Sequence, residues 1–211
     1  MAEAIRVILI DDHRVARQGL RLMLSSAPDI EVSAEAETAA EALALIRDTR
    51  FDVALLDISL PDRNGLDLLK TLGEQRAGLA VLIVSMYGED IYAVRALKRG
   101  AAGYLTKNVD PDTLIGAVRK AASGGKYVSP ALLQKLAGML GDSEAGSHET
   151  LTDRELEIFR MIANGDSLVQ IAAALHLSPS TVTSHRARIL EKMSLKGNTD
   201  ITRYAMDHGL V

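Results

Sequence analysis

The chain has no cysteine, so it can form neither a disulfide framework nor a thiolate metal site. It has no long apolar run: nothing approaches the roughly 20 residues of a membrane-spanning helix. The opening MAEAIRV lacks an apolar stretch behind a basic start, the mark of a secretory signal. These absences lead to the expectation of a cytoplasmic protein with no membrane partner. Positive charge is in the minority, with 24 Lys and Arg against 28 Asp and Glu. A net charge of −4 argues against bulk nucleic-acid binding, although an average over the chain can hide a local patch. What remains is 47% hydrophobic and 25% charged, the composition of an ordinary globular protein, and 211 residues suffice for one large or two modest domains.

Short apolar runs alternate with amphipathic stretches from the start. IRVILI (5–10), IEVSAEA (30–36), DVALLD (52–57), AVLIVS (80–85) and GYLT (103–106) read as strands. The first, third and fourth are apolar almost throughout, as strands covered on both faces should be. Helical patterns lie between them near 14–26, 38–49, 65–74, 89–99 and 110–122, with Thr38 and Glu41 spaced as a capping box. Five βα units in sequence predict an α/β fold: a five-stranded parallel sheet with helices on both faces. The alternation stops near residue 124. A linker with one possible helix (130–140) follows, and its segment 141–149 is rich in Gly, Ser, Asp and Glu. From Leu151 onward the pattern is helical, near 153–164, 168–175, 179–193 and 199–208. Thr152 with Glu155, and Ser167 with Gln170, have capping-box spacing, and Leu151 is placed to staple onto Leu156. Ser178 before Pro179 reads as a helix start, and the short turn before it suggests a helix-turn-helix. The predicted organisation is 1–124, a linker over 125–149, and a small all-α four-helix domain over 150–211.

In open α/β sheets ligands gather at the carboxyl ends of the strands. That rule puts Asp11 and Asp12 at the end of the first strand and Asp57 at the end of the third. Ser85 closes the fourth, and Lys107 follows the fifth. Adjacent carboxylates repel unless something positive sits between them. A hard cation with oxygen ligands, Mg²⁺ above all, resolves that repulsion. The lysine and hydroxyl suit a phosphoryl group, so the constellation points to phosphoryl transfer onto a carboxylate. Asp57 is the candidate nucleophile because it comes from a different strand than the acidic pair, and the turn after it offers the Ser59 carbonyl to the metal. His13 reads as a first-turn helix residue rather than a ligand. Singly, each residue has a plainer reading: a solvated loop or cap, a surface lysine, a strand-end hydroxyl. The set at matching strand ends carries the weight.

DDH after the first strand, LLDISLPDRNGLDLL around Asp57, VLIVSM ending near Ser85 and ALKRGAAGYLTKN with Lys107 resemble a response-regulator receiver domain, flavodoxin-like in fold, over about residues 5–124. The resemblance implies that Asp57 accepts phosphate from a sensor histidine kinase, with Mg²⁺ held by Asp12, Asp57 and the Ser59 carbonyl and Asp11 acting through water. It also implies that Ser85 and Tyr104 form a switch pair. Met86 departs from the pattern, where many receivers carry a small residue.

LTDRE, the Gly165 turn, IAAALHLSPSTVTSH and AMDHGL are similar to the LuxR-type helix-turn-helix of NarL/FixJ regulators over residues 151–211. On the stretch 179–193, Val182, Ile189 and Met193 share a core face. Ser180, Thr181, Thr183, Ser184, Ala187 and Arg188 are side chains suited to a major groove. Arg186, Arg188, Lys192 and Lys196 against Glu191 give 186–196 a local charge of +3, within a tail (148–211) whose net charge is −1. The basic footprint is therefore a stripe. Where many relatives carry a basic residue, this chain has Thr183 and Ala187, so Arg188 becomes the best guanine reader and weak monomer affinity makes dimerisation more necessary.

The leading reading is a phosphorylation-controlled transcription regulator, dimeric on paired half-sites of promoter DNA and working with RNA polymerase. An aspartyl-phosphate hydrolase is the enzymatic alternative, disfavoured by Ser59 where such enzymes place a second Asp. A phosphate-independent interaction module is a third, disfavoured by a complete acidic site.

Overall fold

Residues 4–76, 78–138 and 148–211 are described by a computed structural model. Five strands, β1 (Ile5–Ile10), β2 (Ile30–Ala36), β3 (Val53–Leu56), β4 (Ala80–Ser85) and β5 (Gly103–Thr106), form one parallel sheet in the order β2-β1-β3-β4-β5. Their connections are α1 (Arg14–Leu24), α2 (Ala39–Asp48), α3 (Gly65–Gln75), α4 (Glu89–Lys98) and α5 (Pro111–Ala122). Val7, Leu9, Val53, Leu55, Leu82 and Val84 share one core with Leu20 and Leu24 of α1 and with Leu114 and Val118 of α5. Side chains alternate across a strand, so Ile8, Ile10, Leu56 and Ile83, equally buried, belong to the other face. Covering both faces is what requires the near-continuous apolar runs of β1, β3 and β4.

This strand order places the functional rim. From β1 the chain goes to β2 on one side, then crosses to β3 on the other, which opens a crevice at the carboxyl ends of β1 and β3. The loop leaving β3 is fixed at three points. Asn64 caps α3 by accepting the Leu66 N–H at 2.9 Å, and Gly65 donates its N–H to the Ile58 carbonyl at 2.7 Å. The Asp62 carboxylate accepts the Ala39 and Ala40 N–H groups at 2.9 and 3.0 Å. These are two of the donors that the start of α2 would otherwise leave unpaired. The predicted capping box there is half formed: Thr38 accepts from the Glu41 N–H, but the Glu41 carboxylate takes the Glu37 N–H instead.

Part of the expected linker is built into this first unit. The Tyr127 N–H donates to the Ala102 carbonyl at 2.7 Å, pairing Tyr127 beside β5. Helix α6 (Pro130–Gly138) follows, packed on α4 with Leu132 buried. Contacts divide the chain into two units after Leu140. Much of the Gly/Ser-rich stretch, 139–147, lies outside the described residues; its last two residues, 148 and 149, belong to a 3-10 turn.

The second unit opens with that turn (His148–Thr150) and holds α7 (Asp153–Ala163), α8 (Leu168–Ala174), α9 (Pro179–Lys192) and α10 (Asn198–Asp207). Both expected capping boxes form at α7 and α8, and Ser178 caps α9 with Pro179 at its first position. Leu156, Phe159, Ile171, Val182, Ile189 and Ile201 are fully buried in this unit. Among the described residues, no helix is long and apolar enough to cross a membrane.

Gly65 is required by close approach: a β-carbon there would lie 2.1 Å from the Asp57 carbonyl oxygen. Gly65→Ala is therefore expected to cost about 1–3 kcal/mol, the range for overpacking a rigid site. Urea unfolding of the full chain checks this, and Gly73→Ala, which meets nothing within 4 Å, serves as the control.

Candidate functional site

The sequence at the rim is polar where the strands end, and the ladder of the sheet sets each residue's place. The Asp57 N–H donates to the Ile10 carbonyl and the Lys107 N–H to the Ser85 carbonyl, both at 2.8 Å, so each extends its strand by one residue. The Lys107 Nζ then lies 2.6 Å from Asp11 Oδ2 and 2.8 Å from Asp57 Oδ2, with side chains only 8, 3 and 4% exposed. Asp57 Oδ1 accepts the Ile58 N–H at 2.7 Å, which fixes the carboxylate plane. Burial pushes the Asp57 carboxyl above the usual carboxylate range; Lys107 opposes this and the Asp11 charge reinforces it. Burial also works against the Lys107 ammonium, but the two carboxylates more than offset it and hold its pKa above the ordinary lysine value.

Ligand atoms of Asp11, Asp12, His13 and Asp57 lie within 4.8 Å of one another. Three converging carboxylates are an oxygen-rich set that fits a hard divalent cation. His13 differs from expectation. It is the N-cap of α1 in an extended conformation, and its exposed ring puts Nδ1 2.6 Å from Asp12 Oδ1. The helix starts at Arg14, where the periodicity placed it, so His13 precedes the first turn instead of lying in it. Ser59 lies half-buried in the loop leaving β3, paired with Asn64.

Ser85 and Tyr104 are linked through a residue that sequence reasoning passed over. Ser85 Oγ accepts the Tyr87 N–H at 3.3 Å, and the buried Tyr104 hydroxyl donates to the Tyr87 carbonyl at 2.8 Å. The Tyr87 ring in turn meets Tyr92 of α4 at 5.1 Å between centroids. Met86 projects into solvent. Arg17 was also missed. It is buried with its guanidinium on the Asp11 carbonyl, and its spacing with Leu20 and Leu24 on the inner face of α1 was the available signal.

The second candidate site is the exposed side of α9. Ser180, Thr183, Ser184, Ala187 and Arg188 are exposed there, while Thr181 is half-buried with its hydroxyl on Ser178. The Thr183 hydroxyl donates to the Pro179 carbonyl at 2.9 Å, and the Ser184 hydroxyl to the Ser180 carbonyl at 3.0 Å. The basic stripe is divided. Arg186 donates to Asn198 Oδ1 and Lys192 to Glu155 Oε2, both at 2.6 Å. Among the described residues, the Arg188 and Lys196 side chains have no ion pair. His185 packs inward, and burial lowers its pKa.

Comparison with known proteins covers both units. The family described as the response regulator receiver domain matches residues 7–119, and that described as bacterial regulatory proteins of the luxR family matches 149–205. The transcriptional regulatory protein UhpA of Salmonella typhimurium is 38% identical over 203 residues, 96% of this chain and 98% of that protein. The response regulator GacA of Pseudomonas aeruginosa is 33% identical over 211 residues, 98% of each. Among solved structures, the response regulator ChrA of a heme-sensing two-component system aligns over the whole of both chains with a TM-score of 0.54 and 31% identity.

The raised Asp57 pKa has a definite consequence for stability. The folded state binds this proton more tightly than the unfolded chain, so stability falls as pH rises from about 4, the unfolded value, through the raised folded value. Asp57→Asn is therefore expected to stabilise the protein at pH 7 by roughly 0.5–2 kcal/mol. The gain should shrink toward pH 4, which thermal melts across that range would measure.

Proposed function

Because the chain belongs to the response regulators that join a receiver domain to a LuxR-family DNA-binding domain, we propose that it is a transcription regulator switched by phosphate on Asp57. The observation that carries this reading is the buried Lys107 ammonium shared by Asp11 and Asp57 at the switch point of the sheet. Its charge opposes the rise that burial imposes on the Asp57 carboxyl, and its contact orients that side chain.

Asp57 Oδ attacks the phosphorus of a phosphohistidine on a sensor histidine kinase. The new O–P bond forms as the P–N bond breaks, and the electron pair leaves with the imidazole nitrogen. Lys107 pairs with the arriving phosphoryl oxygens, and the Ser85 hydroxyl donates to one of them. Asp12, Asp57 and the Ser59 carbonyl would hold Mg²⁺, with Asp11 acting through water. When bound, the ion supplies neutralisation of the charge that develops on the transferred group. Recruiting the Ser85 hydroxyl disturbs its bond with Tyr87, and with it the Tyr87 carbonyl that Tyr104 holds. Ser85 and Tyr104 thus act as a switch through Tyr87, biasing a two-state receiver. The receiver assists its own phosphorylation and dephosphorylation without turning over free substrate.

The second unit reads DNA in the major groove with α9. Ser180, Thr181, Thr183, Ser184, Ala187 and Arg188 face bases, and Arg186, Lys192 and Lys196 lie toward phosphates. Because the Thr183 and Ser184 hydroxyls already donate to the helix backbone, they offer acceptor lone pairs to the groove. They suit the amino groups of adenine or cytosine, while Arg188 suits the paired acceptors of guanine. Few free cations on one α9 make a homodimer on paired half-sites the working form, at promoters served by RNA polymerase in the cytoplasm.

With Mg²⁺ and a small phosphodonor, the expected result is one stable phosphate per chain, absent in Asp57→Asn; continued turnover on phosphate esters would refute the reading. Site selection on random DNA, with and without a beryllofluoride mimic, should return paired half-sites enriched by the mimic. Arg188→Ala should cost about 1–3 kcal/mol at one guanine position and flatten preference there. Unchanged preference would remove Arg188 as the reader.

A further inference from the structure

The peptide that joins Asp11 to Asp12 is held by a group outside the acidic cluster. Arg17, 5% exposed, donates from Nη1 to the Asp11 carbonyl oxygen at 2.5 Å. On the other side of the same residue, the Asp11 N–H donates to the Ala36 carbonyl of β2 at 3.1 Å. Both backbone polar groups of Asp11 are therefore committed, and the plane of the Asp11–Asp12 peptide cannot turn without breaking a buried, charge-assisted bond. That plane decides where the Asp12 carboxylate points relative to Asp11 and Asp57.

Arg17 is itself fully engaged. Its Nε donates to Glu35 Oε2 at 3.1 Å and its Nη2 to Glu37, while Arg21 holds the second oxygen of Glu35 with an Nη2–Oε1 distance of 2.6 Å. Two arginines and two glutamates make this group neutral, so it adds little net field to the acidic site beside it. Its influence there is geometric. Tying α1 to β2 alone would require only the glutamate contacts. The third bond, made by the planar fork to the backbone of a site residue, is what a lysine could not reproduce together with the others.

We infer that Arg17 is a positioning residue for the divalent cation: by fixing the peptide between Asp11 and Asp12, it sets the spacing of the carboxylates that hold the ion. The inference rests on the metal reading given under Proposed function. Groups that orient metal ligands typically change affinity by about 10–100-fold when removed, and that is the effect expected here.

The test is a Mn²⁺ titration of the full-length chain followed by electron paramagnetic resonance, with Mg²⁺ as competitor. Arg17→Met should bind Mn²⁺ about 10–100-fold more weakly than wild type, and Arg17→Lys should recover part of the loss. Glu37→Gln, which leaves the bond to Asp11 in place, should bind within about twofold of wild type, on the same scale. Phosphorylation kinetics should show a raised KM for Mg²⁺ with kcat at saturating Mg²⁺ nearly preserved. A purely structural Arg17 would lower the melting temperature and leave the Mn²⁺ affinity of folded molecules unchanged, which would overturn the inference. Should Arg17→Met fail to fold, Arg17→Lys decides alone: wild-type affinity in that variant overturns it. A wild-type chain that binds no Mn²⁺ at millimolar concentration would refute the metal reading itself, an outcome visible before any variant is made.

Discussion

Repulsion among three carboxylates at one end of a buried sheet is the constraint on which the first unit turns. Lys107 answers it directly, with its ammonium between Asp11 and Asp57. The arrangement is costly in isolation, since burying a charge disfavours it unless a partner compensates. Such a site stores a demand for positive charge. The surrounding elements keep that demand in one place: the β-ladder fixes Asp57 beside Ile10 and Lys107 beside Ser85, and Asp62, Asn64 and Gly65 pin the loop that follows.

The same rim has a route outward. Ser85, Tyr87 and Tyr104 are joined by two hydrogen bonds, and the Tyr87 ring meets Tyr92 of α4, the helix on which α6 packs. A change at the Ser85 hydroxyl is therefore one hydrogen bond and one ring contact from α4, on which the helix leading out of the receiver packs.

Much of this was legible in the chain. Apolar runs broken by amphipathic stretches specify five parallel strands because both sheet faces must be covered, and Asp57, Ser85 and Lys107 declare themselves by ending those runs. The capping boxes at Thr152 and Ser167 were readable because their partners lie three residues away. What was not legible depends on distant partners. Asp62 caps a helix more than twenty residues before it, and the Glu41 carboxylate is diverted to Glu37. Arg17 reads as an amphipathic charge until β2 brings Glu35 to it. Lys192 and Arg186 counted toward a basic stripe by sequence proximity, yet fold topology gives them to Glu155 and Asn198. Local signals survive in sequence; long-range pairing of polar groups does not.

The Lys192–Glu155 contact bears on how such proteins diversify. Glu155 closes the cap of α7 and anchors the far end of α9 with the same oxygen, so the positions that hold the helix are separate from those facing outward. Thr183, Ser184, Ala187 and Arg188 support no part of the packed interior through their side chains beyond the helix's own backbone. If α9 reads DNA as proposed, a copy made by gene duplication could exchange those four and acquire a new set of target promoters while its fold and its capping stayed intact. On the proposed reading, the address is written on side chains that the packing of the second unit itself does not use.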